Sequence, residues 1–225
     1  MRVKVIGGYD FYLEPRSYHF NLPYAAAVVT SFLRQHGIAV VLDDLSLRAE
    51  EWNRRHAFSV SSGIDLSLFH DRERVFRSVY GGEDDKELRT AARLLLKAVD
   101  VRGFDLIGFS VLSCYQFCMA AVLAREIKTV CDVKIVFGGL FISLYADSFF
   151  QKTQWADYMI TGDGQIPFLR LITSLSKGRS LAAVPNLLWR ERGRQRCSPR
   201  AQFSIEEAVL PDYSDLPLDF YRSRP

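Results

Sequence analysis

The sequence predicts an α/β fold built on a doubly wound parallel sheet, and two observations support this prediction. Five apolar runs of strand length, rich in Val, Ile or Phe, recur at residues 3–6, 39–42, 106–111, 133–137 and 158–160. Their hydrophobicity is continuous rather than alternating, which is typical of strands covered on both faces. Helical patterns lie between these runs, and this alternation of strand and helix favours a five-stranded parallel sheet.

The predicted helices lie at residues 23–36, 115–130, 144–151 and 166–175. The first has the usual start and stop signals of a helix, with Asn21 as a candidate N-cap, Pro23 in the first turn and Gly37 just beyond the end. Ser113 is placed to cap the second helix, which is an amphipathic run.

Residues 48–99 interrupt the alternation. A polar, poorly periodic stretch comes first, and a strong helix follows at residues 86–99. One face of that helix carries Leu88, Ala92, Leu95 and Val99. We interpret the segment as a helical insertion after the second strand.

The last part of the chain has a different pattern. Residues 186–190 and 195–197 indicate a small β-hairpin, and the proline-punctuated segment 209–221 resembles a linker. We therefore divide the chain into an α/β domain at residues 1–185 and a hairpin with linker at residues 186–225.

Composition narrows the functional classes. The 225 residues are 48% hydrophobic with a net charge of +3, and the basic residues are scattered except at 190–200. A nucleic-acid partner is therefore not expected. With neither a membrane-spanning apolar run nor a signal peptide, we expect a cytoplasmic protein. Free thiols are expected at Cys114, Cys118, Cys131 and Cys197.

Small, glycine-rich or hydroxylated residues follow the predicted strands. They are Gly7-Gly8-Tyr9-Asp10, Ser110-Val111-Leu112-Ser113, Gly138-Gly139 and Thr161-Gly162-Asp163-Gly164-Gln165. Each alone is typical of a tight turn or a helix cap. Ligands of open parallel sheets bind beyond the carboxyl ends of the strands, so the coincidence of these segments at one edge predicts close approach of a large ligand.

Two of these segments, Ser110-Val111-Leu112 and Gly138-Gly139, resemble elements of corrinoid-binding domains. In that family, whose fold is flavodoxin-like (Rossmann-like), the serine meets the buried dimethylbenzimidazole tail of cobalamin and the diglycine lies along the nucleotide loop. The resemblance implies that the chain binds cobalamin, as methylcobalamin or hydroxocobalamin.

The chain is more similar still to the N-terminal cobalamin-binding (B12-binding) domain of B12-dependent radical-SAM enzymes. The matching motifs are Asp105-Leu106-Ile107-Gly108-Phe109-Ser110, Gly138-Gly139, Gly162-Asp163-Gly164-Gln165 and Leu210-Pro211-Asp212-Tyr213. The resemblance covers most of the chain outside the insertion. The resemblance implies that the linker leads to a radical-SAM domain or partner chain, which would hold SAM and a [4Fe-4S] cluster.

The sequence departs from this family at two places. Asp163 and Gln165 replace the usual pair of glutamates, which keeps hydrogen-bonding capacity but removes the second carboxylate. The Asp-x-His-x-x-Gly element that supplies a cobalt ligand in other corrinoid proteins is absent, and His19 lacks its flanking pattern. The resemblance therefore implies base-off cobalamin with no protein histidine on the metal.

The cofactor is expected in a slot between sheet and helix, lined by apolar residues such as Val111, Leu112, Val136 and Phe137. Backbone amides near Ser113, Gly139 and Gly164 would hold its phosphate and corrin amides. The residues that the resemblance and the strand ends assign to cobalamin are Gly8, Tyr9, Asn21, Leu22, Ser110, Leu112, Ser113, Gly138, Gly139, Leu140, Gly162, Asp163, Gly164 and Gln165.

No independent catalytic machinery is recognised. Cys114-x3-Cys118 lacks the third cysteine of an iron–sulfur motif, so these thiols are interpreted as structural. The chain would act as the cofactor-binding part of a methyltransferase, not as a catalyst alone.

Two alternatives belong to other functional classes. A cofactor-free regulatory or interaction module would have its slot filled, with Leu140 and Phe141 helping to close it. A flavin or NAD enzyme is disfavoured because Gly7-Gly8 does not extend to Gly-x-Gly-x-x-Gly.

Overall fold

The computed structural model describes residues 1–8, 22–56, 63–203 and 209–222. Its strands are β1 (Arg2–Gly7), β2 (Ala39–Asp44), β3 (Leu106–Ser110), β4 (Lys134–Gly138), β5 (Tyr158–Ile160), β6 (Leu187–Glu191) and β7 (Arg194–Cys197). They form one sheet in the order β2-β1-β3-β4-β5-β6-β7. The first five strands of that order pair in parallel, which confirms the predicted sheet, and the hairpin β6–β7 extends it antiparallel beyond β5.

Helices cover both faces of this sheet. They are α1 (Tyr24–Gln35), α2 (Leu45–Arg55), α3 (Arg72–Tyr80), α4 (Lys86–Val99), α5 (Cys114–Val130), α6 (Leu140–Phe150), α7 (Gln165–Ser176) and α8 (Leu218–Arg222), with 3₁₀ turns at Leu66–His70 and Leu181–Ala183. Helices α1 and α7 pack on one face, and α3 to α6 pack on the other. Across the described ranges, no helix is long and apolar enough to cross a membrane.

Most helix boundaries agree with the sequence pattern. Helix α4 has the predicted bounds, and the Ser113 hydroxyl accepts a hydrogen bond from the Gln116 N–H at the start of α5. The predicted cap of α1 is wrong, because Pro23 occupies the N-cap position and Asn21 lies outside the described residues. Helix α6 begins at Leu140, four residues before the predicted start, because Gly139 turns the chain directly from β4 into the helix.

The region after β2 contains more helix than its polar composition indicates. Asp44 caps α2 by accepting hydrogen bonds from the Ser46 and Leu47 N–H groups, so this helix starts before the proposed insertion at residue 48. Helix α3 is short, and its apolar stripe is too brief to stand out as a period in the sequence. Helix α4 then packs against α5 and α2 and returns the chain to β3.

The C-terminal segment is docked on the domain. The Arg34 guanidinium on α1 forms ion pairs with Asp212 and Asp215. The Leu42 N–H of β2 donates to the Asp215 carboxylate at 2.6 Å, and Leu216 is buried in the core beneath α1 and α7. The described part of the predicted linker therefore follows the α1 and β2 edge of the fold.

Asp44 gives this fold an unusual pH dependence. Its carboxyl is fully buried, and desolvation raises its pKa to about 6 despite hydrogen bonds from Tyr221 and from the N–H groups of Ser46 and Leu47. The folded protein thus binds this proton more tightly than the unfolded chain does. The contribution of Asp44 to the free energy of unfolding therefore falls as the pH rises from about 4 to about 6.

We expect Asp44→Asn to remove this slope, because asparagine also caps helices well. At neutral pH the variant should unfold with a free energy higher by up to about 3 kcal/mol. Denaturant titrations of both proteins between about pH 4 and pH 7 measure the slope. A slope that survives the substitution would contradict the assignment to Asp44.

Candidate cofactor-binding site

A cavity of about 580 Å³ opens at the carboxyl edge of the parallel sheet. It lies between the ends of β1, β3, β4 and β5 on one side and helices α1 and α7 on the other. The strand order changes direction between β1 and β3, which is where open α/β sheets bind their ligands. The volume falls within the usual range of small-molecule sites.

Small residues on one face of the central strands leave this space open. Alternate residues of a strand share a face, so Gly108 and Ser110 of β3, like Val136 and Gly138 of β4, point towards α1 and α7. A β-carbon on Gly108 would lie 3.0 Å from the Phe168 ring of α7. A β-carbon on Gly138 would have its nearest contact 3.8 Å away, at the Ile160 carbonyl oxygen, and would project into free space.

The two glycines of the diglycine differ in role. Gly139 has a φ of 104°, and a β-carbon there would collide with the backbone of Val111. This close approach is part of a network in which the Val111 N–H donates to the Gly138 carbonyl at 2.8 Å and the Phe141 N–H donates to the Val111 carbonyl at 3.2 Å. Gly139 therefore joins the ends of β3 and β4, whereas Gly138 keeps the cavity open.

Polar groups are few and lie at the rim. Helices α6 and α7 begin after Gly139 and Gly164, and neither N-cap has a side-chain hydrogen bond to the first turn. Residues at both helix starts line the cavity. The Ser143 hydroxyl accepts a hydrogen bond from the Gly162 N–H at 2.8 Å and so ties α6 to the loop after β5. N–H groups at helix starts attract anionic groups where they have no protein partner, and at α6 the Phe141 N–H is already bonded to the Val111 carbonyl.

The structure brings most of the predicted residues together. The large cavity is lined by Ser110, Leu112, Gly138, Gly139, Leu140, Gly162, Asp163, Gly164 and Gln165. Gly8 and Leu22 line a smaller cavity of about 200 Å³, which shares Ser110 and Leu112 with the large one. Ser113 lines neither cavity, because it is buried as the cap of α5. Tyr9 and Asn21 lie outside the described residues, as does His19.

Part of the predicted slot lining is wrong. Val136 and Leu112 do line the cavity, but Val111 and Phe137 lie in the core on the opposite face of the sheet. There the ring centroids of Phe137 and of Phe117 on α5 are 6.0 Å apart. Phe141 is also on that face, 5.3 Å from the same ring.

The helical wall of the cavity was not predicted from the sequence. Ala25, Val28 and Val29 of α1 line it at helical spacing, and Phe168 of α7 and Val209 of the docked C-terminal segment complete it. The spacing on α1 is visible in the sequence, but the same pattern describes any helix face that packs on a sheet.

The paired thiols lie away from the cavity. Cys118 is buried in the core beneath α5, and Cys114 is half-buried at the first turn of that helix. A hydrogen bond with Cys118 and the nearby Arg72 guanidinium lower the pKa of the Cys114 thiol to about 7, against the opposing effect of burial. Within the described ranges, no three His, Cys, Asp or Glu residues are grouped as metal ligands.

No protein-family model matches the chain. Over 123 residues, 53% of its length, it is 27% identical to an uncharacterized methyltransferase, PH0819, from Pyrococcus horikoshii, of which it spans 26%.

Two solved structures are similar over nearly the whole chain. The cobalamin-dependent S-adenosylmethionine radical enzyme OxsB, with aqua-cobalamin and S-adenosylmethionine bound, matches 99% of this chain with a TM-score of 0.60 and 15% identity. The radical S-adenosylmethionine methyltransferase TsrM from Kitasatospora setae, with cobalamin and a [4Fe-4S] cluster bound, matches 93% with a TM-score of 0.55 and 18% identity. This chain spans 26% and 31% of those two proteins. It therefore has a Rossmann-like α/β fold in common with cobalamin-dependent radical-SAM enzymes.

Proposed function

We propose that this chain binds cobalamin in its base-off form, with the dimethylbenzimidazole tail in the 580 Å³ cavity. The observation that carries the proposal is the open face of β3 and β4, where Ser110 and Gly138 stand in place of the bulky residues that would fill a core. Two structural relatives were solved with cobalamin bound, which supports this choice of ligand.

The residues present fit such a group. Val28, Val136 and Phe168 offer an apolar wall to an aromatic tail, and Ser110 offers a hydroxyl to its nitrogen. The helix starts at Leu140 and Gln165 offer backbone N–H groups to the phosphate and the corrin amides. We assign the lower corrin face to Gly8, Leu22 and Leu112, together with Tyr9 and Asn21, which lie outside the described residues.

In this proposal, no protein histidine coordinates the cobalt. The described residues that line the two cavities include no histidine. When bound, cobalamin supplies a cobalt centre that accepts and donates a methyl group. The residues of this chain bind it, orient it and exclude water from its tail.

We further propose that the cofactor serves a radical-SAM domain or partner chain in methyl transfer. The similarity to a methyltransferase sequence and to TsrM supports this assignment. The present sequence has no Cys-x3-Cys-x2-Cys motif, so the [4Fe-4S] cluster and SAM would be held by that catalytic domain.

A visible absorption titration of the purified chain with methylcobalamin and hydroxocobalamin tests the binding proposal. We expect saturable binding with the spectral shift that marks loss of the benzimidazole ligand from cobalt. Absence of any shift with the folded chain would overturn the proposal. Saturable binding with an unshifted, base-on spectrum would retain cobalamin but reject the placement of its tail in the cavity.

The cofactor-free interaction module has less support. It requires a slot closed by side chains, with Leu140 and Phe141 as the candidates. Leu140 is instead 60% exposed at the cavity rim, and Phe141 packs on the opposite face of the sheet.

A further inference from the structure

Gln116 is a buried polar side chain in the lining of the smaller cavity. It lies in the first turn of α5, is 5% exposed, and lines the smaller cavity together with Gly8 and Leu112. Nothing in its sequence context distinguishes it from an ordinary helical glutamine. In the fold, however, its side chain is buried beside the smaller cavity.

Both ends of the Gln116 amide are used. Its Nε2 donates to the Gly8 carbonyl oxygen at 2.8 Å, and its Oε1 accepts from the Leu112 N–H at 2.6 Å. The partners fix the orientation of the amide, since a carbonyl can only accept and an N–H can only donate. Gly8 and Leu112 follow β1 and β3, the neighbouring strands at the switch in strand order.

The amide therefore joins two strand ends that are distant in sequence, at Gly8 and Leu112. Leu112 lines both cavities and is 45% exposed, so packing alone does not hold it in place. Its N–H lies between the end of β3 and the start of α5, and Gln116 is its partner. Without Gln116, this N–H and the Gly8 carbonyl would have to find water or move.

We propose that Gln116 is a positioning residue for the cofactor, holding Gly8 after β1 and Leu112 after β3 at the separation that the corrin ring requires. This inference rests on the proposed function, because it names the residue that shapes the binding edge. Gln116 acts through Gly8 and Leu112 and touches no reacting atom.

Two variants separate positioning from general support of the fold. Gln116→Met keeps the length of the side chain and removes both hydrogen bonds. Gln116→Glu keeps an acceptor for the Leu112 N–H but directs a carboxylate oxygen at the Gly8 carbonyl. Burial and this repulsion raise the pKa of the new carboxyl, and once protonated it can donate as the amide does. Among the described residues lining the smaller cavity, Tyr24 is the only titratable group.

We expect Gln116→Met to weaken methylcobalamin binding at least about tenfold at every pH, since it loses two buried hydrogen bonds. Gln116→Glu should be weakened by about the same factor near pH 8 and recover most of its affinity near pH 5.5. Wild type and Gln35→Glu, which makes the same change at an exposed position of α1, should show no such recovery. Methylcobalamin is the probe because water bound to cobalt in hydroxocobalamin titrates in this range.

The outcomes distinguish the inference from the function on which it rests. Wild-type binding together with unchanged affinity in Gln116→Met would overturn the inference and leave the proposed function intact. Recovery at low pH that also occurs in Gln35→Glu would overturn it as well. No binding by folded wild type would overturn the proposed function and, with it, this role. Amide exchange at Leu112, faster in Gln116→Met than in Gln116→Glu, is the supporting result that requires no ligand.

Discussion

Gly138→Trp is expected to abolish cobalamin binding while the chain stays folded. Gly138 has ordinary strand geometry, and a β-carbon there meets its first neighbour only at 3.8 Å, so a side chain can be added without a backbone clash. The indole would occupy the space that we assign to the benzimidazole tail. Binding should weaken by at least about 100-fold. The indole would fill the cavity, and its packed walls cannot move apart to admit the tail without strain.

A matched control and a second variant make this result interpretable. Leu144→Trp places the same side chain on α6 at a position that is 66% exposed and outside the cavity lining, and it should bind like wild type. Ser110→Trp fills the cavity from β3 and should reproduce the loss. Absorption titrations give the affinities, and thermal unfolding confirms that each variant is folded. Wild-type affinity in both filled variants would place the tail elsewhere.

Gly139→Ala is expected to act on the fold itself. Alanine at a φ of 104° is strained, and its β-carbon would collide with the Val111 backbone where the ends of β3 and β4 are joined. Together these effects should lower the free energy of unfolding by about 3 kcal/mol or more. For a chain of this size, the midpoint of thermal unfolding should fall by on the order of 10 °C.

Gly37→Ala tests a positive φ without a collision. Gly37 also has a positive φ, of 74°, but a β-carbon there meets nothing within 4 Å. It should cost about 1 to 2 kcal/mol, the usual cost of a positive φ for alanine. If Gly139→Ala were no more harmful than Gly37→Ala in denaturant unfolding, the close approach of Gly139 to Val111 would be refuted.

Local patterns in the sequence were sufficient for the framework of the fold. The five apolar runs became the five parallel strands, and the caps at Ser113 and Gly37 stand where the pattern placed them. These features depend on neighbours a few residues apart, so the sequence shows them directly. The small residues at the strand ends also predicted the edge at which the cavity opens.

Features that depend on residues distant in the chain were harder to predict from the sequence. The docking of the C-terminal segment rests on Arg34, which pairs with carboxylates about 180 residues later. Gln116 reaches Gly8 across 108 positions. Such pairs leave no periodic signal in the sequence. Each of these residues alone is of a type that is common on protein surfaces and in helices.

The sequence by itself determined the class of fold, the order of its strands along the chain and the edge of the sheet at which the cavity opens. Only the tertiary structure decided on which face of the sheet the cavity lies, and so separated Val136 and Gly138 from Phe137 and Val111. The physical reason is that strands buried on both faces carry continuous apolar runs. Without alternation, nothing local marks which side of a strand α1 and α7 will cover.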